Sequence, residues 1–196
     1  LNAAAMTEGG SVRATLAAFA AGHAVTGSLG NDRITIQDLN ANDVVGLAAG
    51  TGDTLIAVDT SNNNTINGLS TNITGVETLG VVSGTGGANT VTFDSTKVTG
   101  ITGVTLTNGD ATAVDNFAAT INNEVLTSKS GNGVTLTTPT TAGRAFGTVG
   151  ITVKGADTSG SDHLTINIGS DTATNTTAFN TDVITANSIE TLTLNV

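Results

Sequence analysis

Aspartate residues in glycine-containing turns are the residues of this chain whose spacing could do chemistry. Four segments place an Asp or Asn two residues before an aliphatic residue that Thr follows: GSLGNDRIT (27–35), GTGGANTVT (84–92), DTSGSDHLT (157–165) and NTDVIT (180–185). Carboxylates and the backbone carbonyls that glycine turns expose are hard oxygen donors, and Ca²⁺ binds roughly six to eight of them. The pattern therefore predicts cation-binding turns.

Candidate ligands come from these segments and from one further turn, GTGDTL, whose Asp53 is the candidate for a neighbouring turn. The candidate metal-ligating residues are Gly27, Gly30, Asp32, Asp53, Asp157, Gly160, Asp162 and Asp182. A second interpretation stays open, because an Asp in a turn often accepts hydrogen bonds from its own backbone. Glu77 and Glu190 are expected to face solvent, and His23 and His163 to lie on the surface.

The charge balance fits either a bound cation as a partner or simple solubility. The formal net charge is −10, and three acids face four bases between residues 97 and 156 while thirteen acids face two bases elsewhere. Such an acidic chain is a poor partner for nucleic acid and for anionic membrane surfaces. The segment 97–156 is close to neutral, and we interpret it as an insertion or as a part that binds no metal.

Short windows of alternating apolar and polar residues follow the turns, as strands with one buried face require. The segment 11–22 fits either a helix, from its Ala and Leu content, or a strand, from its alternation. The windows that predict strands are 32–39, 53–58, 89–93, 103–108, 133–138, 150–155, 163–168 and 190–196.

The composition limits how these strands can pack. Trp, Tyr and Cys are absent and there are only five Phe, so the core must consist of Val, Ile, Leu and Ala, which suits thin stacked layers. Many short strands and recurring turns predict an all-β protein, a parallel β-helix or β-solenoid with irregular coils, with a β-sandwich as the alternative. We expect residues 1–196 to form one such domain, either whole or as a fragment of a longer chain.

The turn units resemble the RTX-type calcium-binding nonapeptide, GGxGxDxUx, in which U is aliphatic. Gly27, Gly30, Asp32 and Ile34 fit this pattern, with Ser28 in place of the second Gly, and Asn89 replaces the Asp in the second unit. The segments GVETL and SIETL, in a Thr-, Gly- and Asn-rich background, are similar to secreted S-layer proteins of Gram-negative bacteria. The resemblance implies a Ca²⁺-dependent β-solenoid that tiles a cell surface.

The expected function is therefore structural: a component of a secreted bacterial surface layer that assembles through calcium-stabilised contacts. Self-association into an array or filament is the expected partnership, with cell-surface polysaccharide as a second candidate partner and no membrane insertion. The alternative is a stalk or ligand-binding segment of a large bacterial adhesin. The sequence contains neither GxSxG nor HExxH, and we do not expect an enzyme.

Overall fold

The computed structural model of the chain describes residues 1–6, 9–58, 60, 72–83, 90–94, 103–108, 117–122, 133–138, 146–152, 163–170, 184–187 and 189–195. Within these residues the chain forms fifteen strands and no helix, so the described part is all-β. The strands are β1 (Arg13–Leu16), β2 (Ala24–Thr26), β3 (Arg33–Gln37), β4 (Val44–Gly46), β5 (Thr54–Val58), β6 (Ile73–Thr74), β7 (Thr78–Ser83), β8 (Thr90–Asp94), β9 (Gly103–Asn108), β10 (Phe117–Asn122), β11 (Gly133–Thr138), β12 (Phe146–Thr152), β13 (His163–Ser170), β14 (Ile184–Asn187) and β15 (Thr191–Asn195).

Successive strands belong to different sheets. The odd-numbered strands form one eight-stranded sheet in the order β1-β3-β5-β7-β9-β11-β13-β15. Among the even-numbered strands, β2-β4-β6 form a three-stranded sheet and β14-β12-β10-β8 a four-stranded one. Every pairing between these strands is parallel. Antiparallel pairing, the basis of a β-sandwich, is absent from the strands that the structure describes.

Aliphatic side chains in register form the core. In the eight-stranded sheet Ile34, Leu55 and Leu79 are aligned across β3, β5 and β7, and all three are fully buried. Val25, Val45 and Ile73 form the same kind of row across β2, β4 and β6. Burying each such side chain stabilises the fold by about 1.5–3 kcal/mol. These rows are the thin aliphatic layers that the composition predicts.

The strand windows of the sequence all overlap strands of the structure. Windows 103–108 and 133–138 coincide with β9 and β11, and both strands lie in the near-neutral segment yet pair with β7 and β13 on either side. The ambiguous segment 11–22 contains strand β1 and no helix. In the described part of the chain there is also no helix long and apolar enough to cross a membrane.

Candidate carboxylate site in the turns

Three acidic residues stand directly before three neighbouring strands of the eight-stranded sheet. Asp32 precedes β3, Asp53 precedes β5 and Glu77 precedes β7. Asp32 is 1% exposed and Asp53 is 0% exposed, whereas Glu77 is partly buried. We call these three residues the carboxylate ladder, because the parallel register brings the ends of their strands side by side. Carboxylates this deeply buried need hydrogen-bond partners.

Each member of the carboxylate ladder accepts a backbone amide from the preceding turn. The amide of Val12 donates to Asp32 Oδ1 (2.7 Å), 20 residues further along the chain. The amide of Asp32 donates to Asp53 Oδ1 (2.6 Å), 21 residues further along. The amide of Asp53 donates to Glu77 Oε2 (2.8 Å), 24 residues further along. Side chains thus continue the inter-strand hydrogen bonding beyond the strand ends and clamp each turn to the next one.

Asp32 makes the most complete set of these bonds. Its Oδ2 accepts the amide of Ser28 (2.6 Å), and its Oδ1 lies 2.7 Å from the Ser28 hydroxyl, which also contacts the carbonyl oxygen of Gly10. Hydrogen bonds to a charged acceptor each contribute roughly 1.5–3 kcal/mol. Both oxygens of Asp32 are therefore engaged by donors of the protein itself.

The two glycines near Asp32 are required by close approach. A Cβ atom at Gly27 would clash with Asp32 Oδ2 and would lie 2.8 Å from the Cα of Leu47. A Cβ atom at Gly30 would lie 2.5 Å from the carbonyl oxygen of Gly10 and 2.6 Å from that of Gly9. Such distances are far below van der Waals contact, so these glycines allow neighbouring turns to stack closely.

A second acidic residue uses the same arrangement in the three-stranded sheet. Asp43 precedes β4, and its Oδ1 accepts the amide of His23, the residue before β2, at 2.6 Å. The Nδ1 atom of His23 lies 2.9 Å from the same oxygen, and the amide of Asn40 donates to Asp43 Oδ2 at 2.7 Å. His23 is thus partly buried against a carboxylate, and the expectation of a purely surface residue is wrong in this respect.

Asp53 is the member of the carboxylate ladder whose hydrogen bonding is incomplete. Its Oδ2 is buried and has no hydrogen-bond partner within the described structure. Burial raises the pKa of Asp53 above its usual value of 3.8; the hydrogen bond from the Asp32 amide opposes this, and the carboxylates of Glu77 and Asp32 add to it. A proton or a cation at Oδ2 would therefore relieve this electrostatic cost.

The structure leaves the calcium prediction untested. Asp53 lies in the turn next to Asp32, but the described residues contain no group of three or more His, Cys, Asp or Glu that could hold a metal ion. The Asp32 oxygens accept hydrogen bonds from donors of the protein itself. Four further predicted ligands lie outside the described residues: Asp157, Gly160, Asp162 and Asp182. The role of all eight residues as calcium ligands stays a prediction.

Sequence reasoning did not assign Ser28 and Asp43 to this site, and its expectation that Glu77 faces solvent is wrong, because Glu77 is partly buried and accepts the Asp53 amide. The signal for Glu77 is an acid placed directly before a strand of the eight-stranded sheet, since Asp32, Asp53 and Glu77 follow one another at intervals of 21 and 24 residues. The turn units at 27–35 and 84–92 conceal this repeat, because the first leads into β3 and the second into β8, which belong to different sheets.

Comparisons with known proteins add no family to this description. No protein-family model, no curated protein and no solved structure matches the chain.

Proposed function

We propose that the chain is a parallel β-solenoid that serves as a structural segment of a bacterial surface layer, in which copies associate end to end. The observation that carries this proposal is the in-register parallel stacking of the odd-numbered strands, combined with the regular alternation between sheets. A chain that coils produces this order, because each turn adds one strand to each side.

Unequal coil lengths are consistent with the irregular solenoid. Arg13 is aligned with Arg33, 20 residues later, whereas Gly103 is aligned with Gly133, 30 residues later. The additional residues lie between strands, so they leave the aliphatic rows in register. Rigidity is the physical property that such a stack supplies, and the clamps of the carboxylate ladder add to it.

The outer strands of the eight-stranded sheet supply the surface for association. Within the described structure β1 pairs only with β3, and β15 only with β13. On β15, Leu192 and Leu194 are aligned with Leu164 and Ile166 of β13, yet they are 51% and 53% exposed, whereas Leu164 is fully buried. An added parallel strand would satisfy the open edge and cover both leucines. Strand β1 of a second copy, with its own open edge and with Ala14 and Leu16, fits this role.

End-to-end association is tested by the double variant Leu192→Ser/Leu194→Ser. We expect the self-association constant of this variant to be roughly tenfold or more below that of the wild-type chain, because both half-exposed leucines lose their contact with the next copy. Sedimentation velocity measures this change, and negative-stain microscopy shows whether filaments or sheets form. Phe19→Ser is the matched control, since Phe19 is 56% exposed in the turn between β1 and β2. A wild-type chain that stays monomeric at high concentration, with and without Ca²⁺, would overturn this proposal and favour the adhesin segment.

The proposed location and metal dependence, a secreted array that Ca²⁺ stabilises, are supported by the resemblance of the turn units to RTX repeats. If Ca²⁺ binds the folded chain alone, millimolar Ca²⁺ at about 100 times its dissociation constant should add about 2.7 kcal/mol to the free energy of unfolding. Thermal unfolding in Ca²⁺ and in EDTA measures this difference, and Mg²⁺ is the control ion. Identical melting curves in Ca²⁺ and EDTA would refute the calcium part and leave the structural role standing.

A further inference from the structure

Arg13 and Arg33 form a pair of like charges on adjacent strands. They are direct partners in the parallel register of β1 and β3, and both are exposed. Neighbouring strands lie about 4.8 Å apart, and like charges directly opposite each other in a sheet are destabilising. The pair therefore opposes folding unless a negative group balances it.

No acidic side chain of the described structure balances this pair. Neither guanidinium makes an ion pair or a hydrogen bond with any residue that the structure describes. Asp32 is the neighbour of Arg33 in sequence, but it is buried and its oxygens accept bonds from Val12 and Ser28. Two of the six basic residues of the chain thus lie side by side without a partner among the described residues.

A shallow cavity lies beside the two arginines. Its volume is about 180 Å³, and its lining residues are Arg13, Ala14, Thr15, Arg33 and Thr35. Thr15 and Thr35 are also direct partners in the register, two residues beyond the arginines and so on the same face of the sheet. The cavity has room for several atoms of a ligand, since a water molecule fills about 30 Å³ of the liquid.

We propose that Arg13, Arg33, Thr15 and Thr35 form a binding site for a single oxyanion group, either a phosphate or a carboxylate. Planar guanidinium groups bind both groups through paired N–H donors, and the threonine hydroxyls add two neutral donors. The net charge of −10 excludes a polyanion, because the rest of the chain would repel it. The ligand is therefore a small molecule with one oxyanion group, and free phosphate and the carboxylate of one acidic sugar residue are the two sources to be distinguished. This inference does not depend on the proposed structural role.

Titration of the full chain with sodium phosphate and with sodium glucuronate tests the site and separates the two sources. We expect saturable binding of at least one of them, with changes in the Nε–H NMR signals of Arg13 and Arg33, and no binding of neutral glucose. Tighter binding of phosphate assigns a phosphate ligand, and tighter binding of glucuronate assigns an acidic sugar. If neither anion binds saturably, the proposal is wrong.

Variants separate a built site from general charge attraction. Arg13→Gln and Arg33→Gln should each weaken binding roughly tenfold, since each removes charge-assisted hydrogen bonds, and the double variant should abolish saturation. The double variant Arg13→Lys/Arg33→Lys keeps both charges and should bind about threefold more weakly, because it loses the paired donors. The control Lys97→Gln/Lys154→Gln removes the same charge elsewhere in the sequence and should bind like the wild type. Equal weakening by the control and by the arginine variants would overturn the site.

Discussion

Asp32→Ala is expected to lower the free energy of unfolding by about 3–5 kcal/mol, as the loss of a buried, hydrogen-bonded charge does. The variant removes the acceptor of the Val12 amide, the Ser28 amide and the Ser28 hydroxyl. Ser28 is itself only 1% exposed, so its amide and hydroxyl donors are buried. Water therefore cannot replace the carboxylate without opening the turn. Urea denaturation of the variant and the wild type measures the difference.

Two further variants identify the cause of this loss. Asp32→Asn keeps one acceptor oxygen but places an amide donor opposite a backbone donor, so we expect an intermediate loss of about 1–2 kcal/mol. Asn31→Ala removes an exposed neighbouring side chain, whose oxygen accepts only a long bond from the Thr51 amide (3.3 Å), and should cost less than about 0.5 kcal/mol. A loss below 1 kcal/mol in Asp32→Ala would show that the carboxylate ladder does not clamp the turns.

Asp53→Asn is expected to be more stable than the wild type at pH 8, by about 1–3 kcal/mol, because it removes a buried charge with an unsatisfied oxygen. The raised pKa of Asp53 means that the folded chain binds this proton more tightly than the unfolded chain does. The contribution of Asp53 to stability is therefore fully present below pH 3.8 and is lost as the pH rises through the folded pKa. Asparagine does not titrate, so its variant lacks this loss.

The measurement is urea denaturation of both proteins at pH 4, 6 and 8 in EDTA, which keeps metal ions out of the comparison. The advantage of Asp53→Asn should grow with pH, while the titration of the other groups cancels in the difference. Asp38→Asn is the matched control, since Asp38 is more accessible and accepts bonds from the Thr60 amide (2.6 Å) and hydroxyl (2.7 Å). An advantage that does not change between pH 4 and pH 8 would contradict the assignment of the proton to Asp53.

Asp32 and Asp53 are expected to affect the stability of the fold in opposite directions. Asp32 has donors for both of its oxygens and stabilises the stack, whereas Asp53 has a donor for Oδ1 alone. The same residue type at the equivalent position of two adjacent turns therefore has opposite effects on stability at neutral pH. A cation that binds at Asp53 Oδ2 would remove this difference, which is why the calcium and pH experiments are complementary.

Strands were predictable from the sequence where the alternation is long enough to detect. In DRITIQDL, Ile34 and Ile36 alternate with polar residues, and the structure buries both of them completely. Strands β2 and β4 were not predicted, because three residues are too few to define a period of two. Their burial depends on Val25 and Val45 alone, whose row forms only once the neighbouring turns are stacked.

The candidate site was predictable in its residues and not in its partners. The residue types determined that Asp32 and Asp53 stand in glycine-containing turns before aliphatic strands, because glycine and aspartate favour turns and Ile and Leu favour strands. Only the tertiary structure decided that the amide of Val12 is a donor to Asp32, and that Asp53 has an oxygen without a donor among the described residues. The physical reason is that the hydrogen bond from the Val12 amide to Asp32 joins groups 20 residues apart in the chain. Their alignment depends on the number of residues between strands and on parallel pairing, which no local pattern encodes.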